Sequence, residues 1–463
     1  MATSSDNASL PSFGLHDGRG AEPRQTDLRR VYQQVGNITR LQSDVAVRRD
    51  LINLLQQRRK QHEQLSQEQL SRFDAVADPQ GGEVLLVPAE LLMREELLRQ
   101  PYIRPILDAY QLQSEPIGCL EGRVVRLTAP GADGDRIAEI AGALRARGVP
   151  ASPNHVTPMG IVAKGLGGPE LSEGETPQYP SADAEGTPIR VAVIDTGIAM
   201  QKRSDGWLAG LVRQDSDEDN VDPLDALPEP NGYLDLGAGH GTFASGIVQQ
   251  VAPGADLAVY RALDSDGIGS EVDVACAMVR AVREGAQILN LSLGMETLDD
   301  QPPVVFEVAM ELIDKVAVET EREVLVVAAA GNYGHARPCW PAALRRVIAV
   351  AGLTQDLAPA AWSTRGSWVD CSAIAEGVRS TYVEGQEHPQ IDPEPDKFPE
   401  DAWALWTGTS FAAPQVAGAI AHIAQRAGIG PRAALGELLR GRPDLPDYGR
   451  ALRILPPTWR PVT

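Results

Sequence analysis

This chain has no apolar run of membrane-spanning length, no signal-like amino terminus, few cysteines and a deficit of positive charge. A spanning helix needs about 20 consecutive apolar residues, so insertion as a helix is not expected. The start, Met1-Ala-Thr-Ser-Ser-Asp-Asn-Ala-Ser-Leu-Pro11, carries neither the basic nor the apolar region of a secretory signal, which predicts a cytoplasmic protein. The four cysteines, Cys119, Cys276, Cys339 and Cys371, are far apart and form no Cys-x-x-Cys pair. They are expected as reduced thiols rather than a disulfide framework or a zinc site. A net charge of −21 argues against nucleic acid and anionic membrane as partners.

What is present is chemistry spread over three short segments. Val191-Ala-Val-Ile-Asp195-Thr-Gly197 reads as a buried parallel strand ending in a carboxylate and a turn glycine, and open α/β sheets place their sites at that carboxyl end. Gly239-His240-Gly-Thr-Phe-Ala-Ser-Gly246 and Gly408-Thr-Ser410-Phe-Ala-Ala-Pro414 each open a run of small apolar residues suited to a buried helix, with Pro414 near the first turn. A serine hydroxyl is a poor nucleophile until an imidazole takes its proton, and a buried carboxylate fixes that imidazole's tautomer. Asp195, His240 and Ser410 supply the three groups in the order acid, base, nucleophile. A fourth segment, Val324-Leu-Val-Val-Ala-Ala-Ala-Gly331-Asn332, is an apolar strand ending in a carboxamide. Asn332 is the candidate donor to an oxyanion, beside the Ser410 backbone N–H.

Residues 189 to about 452 resemble the catalytic domain of the subtilisin-like serine proteases, the subtilases. Val251-Ala-Pro253, the stretch from Gln287 to Gly294, and Trp340-Pro-Ala342 match further landmarks in the right order. The resemblance implies an α/β fold with a parallel seven-stranded sheet sandwiched by helices, and a protein or peptide substrate pairing as an added strand against Ser292, Leu293 and Gly294. It also implies an S1 pocket walled by Ala329, Ala330 and Gly331 and floored by Cys339, which suits an apolar or mid-sized P1 side chain. Four positions depart from the family pattern. Phe243 replaces the usual second His, Phe411 the usual Met, Gln415 the usual His after Ala-Ala-Pro, and Glu376 the Pro of the usual Ala-Pro-Gly turn. None is a triad member, so catalysis is expected to survive. The alternative is a catalytically idle scaffold that only holds an extended peptide.

The rest of the chain is organised around this unit. Residues 1–78 are expected to be helical, with the first 20 or so disordered; Leu28, Val31, Val35, Ile38, Leu41 and Val45 form one apolar stripe. That region reads as a hairpin packed on its own chain or as a contact for a regulatory protein partner, which could extend over residues 1–157. Residues 79–157 alternate as strand 84–87, helix 89–107, strands 110–117 and 123–128, helix 135–147 and strand 151–156, the ferredoxin-like α+β order. This resembles the propeptide domain of subtilases, implying a folding chaperone and inhibitor, hence a zymogen. Residues 158–188 read as a linker open to cleavage, and residues 189–463 as the catalytic domain. The acidic stretch from Asp215 to Asp235 reads as a solvated loop, a calcium site using Asp215, Asp217 and Asp219, or an exosite for a basic substrate. No other cofactor or metal is expected. An insertion, Glu384 to Asp401, reads as an irregular loop or as a lid.

Overall fold

The computed structural model describes residues 25–66, 72–158, 168–174, 176–179, 186–214, 220–392 and 394–455. It opens on two helices, α1 (Gln25–Ser43) and α2 (Val45–Ser66). Asp44 joins them, its carboxylate accepting from the N–H groups of Ala46 (3.0 Å) and Val47 (3.3 Å) to cap α2. Next come β1 (Asp74–Ala77), β2 (Glu83–Arg94), α3 (Ile103–Ala109), β3 (Gln113–Pro116), β4 (Val124–Thr128), α4 (Gly134–Arg145) and β5 (Ser152–Pro158). The antiparallel sheet order β5-β2-β4-β3, with β1 added on β2, is the ferredoxin-like arrangement. β1 therefore falls inside the stretch expected to be purely helical.

The expected helix 89–107 is not formed. β2 runs on to Arg94, followed by a 3₁₀ turn, Glu95–Arg99, and the short α3. Leu91 and Met93 pack into the core of their own unit while Leu92 packs into the neighbouring large core, all three fully buried. A strand covered on both faces carries a continuous apolar run, which periodicity cannot separate from a buried helix.

The second unit begins with β6 (Glu170–Leu171), β7 (Arg190–Asp195) and the paired short strands β8 (Ile198–Ala199) and β9 (Val221–Asp222). It continues with α5 (His240–Val251), β10 (Asp256–Arg261), β11 (Ile268–Ser270), α6 (Glu271–Arg283), β12 (Ile288–Leu291), α7 (Val304–Glu319), β13 (Leu325–Ala329), β14 (Val347–Leu353) and β15 (Cys371–Ile374). Then follow β16 (Val378–Thr381), β17 (Gly385–Gln386), β18 (Lys397–Phe398), β19 (Trp403–Trp406), α8 (Ala413–Ala427), α9 (Pro431–Leu439), β20 (Asp444–Leu445) and β21 (Gly449–Leu452). The large sheet runs β10-β7-β12-β13-β14-β15-β21-β20. Its first seven strands are mutually parallel and only the edge strand β20 is antiparallel. The seven-stranded parallel sheet is thus present, and the helices that cover its faces account for its apolar strands.

The two units are stitched together. β5 pairs with β11, Thr157 opposite Gly269. Cys119, in a turn whose Leu120 is fully buried, forms a disulfide with Cys276 of α6 at a Cα separation of 5.5 Å. This corrects the expectation of four reduced thiols: 157 residues separate the pair in sequence, so only the packing of the turn on α6 brings them together. Cys339 and Cys371 are free and buried.

α2 is held by charge. The buried Arg58 guanidinium reaches Asp235 (2.6 Å) and Asp266 (3.0 Å), and Arg59 pairs with Asp264. Burial, reinforced by neighbouring Asp266, pushes the Asp235 carboxyl up to about 7 against the pull of Arg58. Removing one member of a buried pair typically costs about 3–5 kcal/mol because a bare charge is left behind. Arg58→Ala is therefore expected to lift α2 off its seat. Hydrogen exchange should show faster exchange across α2 while α8 keeps its protection.

Candidate active site

Asp195 ends β7 and has no solvent exposure. Its carboxylate accepts from the N–H of Thr196 (2.7 Å) and faces His240 Nδ1 with both oxygens, at 2.7 and 2.9 Å. His240 is the first residue of α5, entered through Gly239 at φ +78°, a left-handed backbone that favours glycine. A Cβ on Gly241 would lie 2.2 Å from the carbonyl oxygen of Gly197, so α5 can approach the turn after β7 only with glycine there. Asp222 locks the same corner from behind, accepting from Gly239 N–H (2.9 Å), Thr196 Oγ1 (2.8 Å) and Leu224 N–H (3.1 Å). Burial outweighs these donors and pushes its carboxyl up to about 6.

Ser410 sits in a 3₁₀ turn, Thr409–Phe411, that leads into α8, with Pro414 in the helix's first turn. Its carbonyl accepts from Ser292 Oγ (2.7 Å), which in turn accepts from Asn290 Nδ2 (2.9 Å). Among the described residues no hydrogen bond joins His240 Nε2 to Ser410 Oγ. Contacts of this kind tighten as a substrate binds. The imidazole is fixed instead by two rings, Trp406 edge-on at 5.2 Å and Phe411 tilted at 5.2 Å.

Asn332 follows β13 across Gly331. Its Oδ1 accepts from both the N–H (3.0 Å) and the hydroxyl (2.9 Å) of Thr409, whose Oγ1 accepts from Gly331 N–H (3.1 Å). The carboxamide oxygen is tied back by Thr409, and among the described residues Nδ2 makes no hydrogen bond. Thr409 is a positioning residue that motif reading passed over, although it is the central letter of Gly-Thr-Ser.

Ser292, Leu293 and Gly294 follow β12, and Ala330 and Gly331 follow Ala329 at the end of the neighbouring strand β13; all six are buried. Cys339 is fully buried between them. A Cβ on Gly294 or Gly331 would lie 2.6 or 2.9 Å from its Sγ. Burial, with Glu296 nearby, pushes the thiol well above its ordinary range, so it stays neutral.

The departures at Phe243 and Phe411 are one feature. Their rings meet at 4.7 Å, and Phe243 also meets Trp406 at 5.5 Å, forming one aromatic cluster with His240. Gln415 donates to the carbonyls of Ile374 and Phe411, both at 2.7 Å, and Glu376 accepts from Trp362 Nε1 at 2.9 Å. Asp215, Asp217 and Asp219 lie outside the described residues. Among the described residues no three His, Cys, Asp or Glu side chains are grouped to hold a metal ion, and no helix is long and apolar enough to cross a membrane.

Residues 186–440 match the model of the subtilase family, peptidase S8. The chain is 32% identical to thermitase of Thermoactinomyces vulgaris over 253 residues, which is 52% of this chain and 77% of thermitase. It is 29% identical to subtilisin BL of Lederbergia lenta over 267 residues, 55% of this chain and 83% of that protein. Among solved structures, fervidolysin from Fervidobacterium pennivorans, a keratinolytic enzyme related to subtilisin, shares the fold with a TM-score of 0.55 at 18% identity. That match covers 80% of this chain and 60% of fervidolysin, more of this chain than residues 186–463 contain, so the shared fold includes part of the amino-terminal region. With the family model spanning more than half of its length, the chain belongs to the subtilase family of serine proteases.

Proposed function

We propose that the chain is a serine endopeptidase that cleaves peptide bonds through an acyl-enzyme on Ser410. His240 Nε2 takes the Ser410 Oγ proton as Oγ attacks the scissile carbonyl; Asp195 holds Nδ1–H and steadies the imidazolium. The oxyanion is met by Asn332 Nδ2 and the Ser410 N–H. His240 then protonates the leaving amine, and water repeats the sequence to free the acid. The observation that carries this reading is the Asn332 carboxamide, tied back by two bonds from Thr409 so that its donor end is unspent.

Several finer points belong to the same proposal. The substrate adds as a strand along Ser292–Gly294, and the Cys339 floor favours apolar or mid-sized P1 side chains. Residues 79–157 act as a propeptide-like inhibitor joined by the linker 158–188, and the enzyme is made latent. The pairing of β5 with β11 and the position of Pro158 in one cavity with Asn332 support this. The Cys119–Cys276 disulfide favours a compartment where disulfides persist over the cytoplasm.

A fluorophosphonate probe tests the chemistry. Labelling of wild type that is absent from Ser410→Ala supports the endopeptidase; no labelling of wild type even after the amino-terminal region is cut away would leave the idle scaffold. Asn332→Ala should lower kcat by about 10²–10³ with little change in KM, measured on a peptide substrate. Cys339→Gly should shift preference toward larger P1 side chains across a P1-varied peptide series.

A further inference from the structure

Helix α1 does not merely pad the surface. Val31, Gln34, Ile38 and Leu41 form its buried stripe, while Tyr32 on the opposite face is 61% exposed. A buried glutamine amid apolar neighbours must find partners. Gln34 finds them on the segment leading to Ser410 and just before β6: Nε2 donates to Leu405 O (2.9 Å) and Gly168 O (2.6 Å), and Oε1 accepts from Thr407 Oγ1 (2.7 Å). Gln42 finds them on the segment after β13 and at Trp362, its Nε2 donating to the carbonyls of Asn332 and Trp362, both at 2.7 Å. Eight residues of helix separate the two glutamines, about 12 Å along the axis. α1 therefore bridges the segment that carries Thr407 and the segment that carries Asn332.

The space beneath is a half-open cavity that reaches Asn332. Ile38, Leu41 and Gln42 roof a cavity of about 390 Å³ whose other walls include Met295, Asn332 and Tyr333. The helix is seated by charge at its amino-terminal end. Arg30 reaches Asp396 (3.3 Å) and Glu170 (3.8 Å), and Asp396 also accepts from Leu171 N–H (2.8 Å). Asp396 belongs to the insertion before the nucleophile segment, whose β17–β18 hairpin frames it. The insertion thus presents an acidic seat to α1.

We propose that α1 is a helical plug over the site, bonded to the segments that carry Thr407 and Asn332, and that it holds the full-length chain latent whether or not the linker is cut. The proposal rests on the endopeptidase reading above. It differs from inhibition by the propeptide-like unit, because α1 precedes that unit and its bonds go directly to those two segments. Activation then requires displacement of the hairpin α1–α2 and not only a cut between residues 158 and 188.

Wild type, Gln34→Ala/Gln42→Ala and Ile38→Asp chains should be compared for fluorophosphonate labelling and for hydrolysis of a short p-nitroanilide peptide. Both rates should rise roughly tenfold or more in the variants, since one removes the hydrogen bonds of Gln34 and Gln42 and the other buries a charge under α1. Misfolding cannot mimic a gain. A Ser410→Ala chain adds a readout that needs no chemistry: hydrogen exchange should show residues 31–42 protected, and that protection should vanish when Gln34→Ala/Gln42→Ala is added while β7 and α8 stay protected. Unprotected α1 amides in Ser410→Ala would overturn the plug, as would variants that label no faster than a wild type that labels. A protected α1 with no labelling in any chain, including one cut free of its amino-terminal region, would sink the endopeptidase reading, and the plug with it.

Discussion

A carboxylate with no exposure to water sets the terms for everything around it. Asp195 ends a strand with neighbours on both sides, so its charge can be balanced only from the carboxyl edge of the sheet. Burying a charge is tolerable only with donors in place, and the available ones are Thr196 N–H and the His240 imidazole. This requirement draws the start of α5 onto the end of β7, which in turn demands glycine at 239 and 241. The parallel sheet brings β13 to the same edge, and with it Asn332. The site is a consequence of satisfying one buried charge at the place where the parallel strands end.

The four residues of the candidate site were legible because each lies within a short local pattern whose chemistry is explicit: strand then Asp-Thr-Gly, Gly-His-Gly before a small-residue helix, Gly-Thr-Ser before another, and strand then Gly-Asn. The order of strands and helices in the amino-terminal unit was legible too, except where local pattern and tertiary burial conflict. Leu91, Leu92 and Met93 are apolar on successive positions because two different cores take alternate side chains, and no window of sequence reveals a second core. The Cys119–Cys276 bond was hidden for a related reason, since it depends on which surface of α6 meets the turn after β3. Gln34 was hidden because glutamine on a helix reads as the wet face. Here Gln34 lies on the buried face of α1 and donates to the main-chain carbonyls of Gly168 and Leu405.

Departures from a family pattern are informative when they occur together. Phe243 and Phe411 stand far apart in sequence, each in place of a more polar or softer side chain, and the structure places their rings in contact with Trp406 and around the imidazole. Aromatic contacts of this geometry add about 0.5–1.5 kcal/mol each beyond area burial. One change without the other would leave either a gap or a clash beside His240. The pair preserves a rigid, dry setting for the imidazole by a different packing solution.

Cys119 and Cys276 lie on opposite sides of the linker, and their bond has a thermodynamic meaning beyond holding two surfaces together. A chain opened anywhere between residues 158 and 188 remains a single covalent particle. Its amino-terminal half then faces the catalytic half at an effective concentration on the order of millimolar, so dilution does not carry it away. Rebinding stays intramolecular, with a weight independent of how much protein is in solution. Separation of the two parts is therefore withheld until the sulfur–sulfur bond itself is broken or a second cut is made.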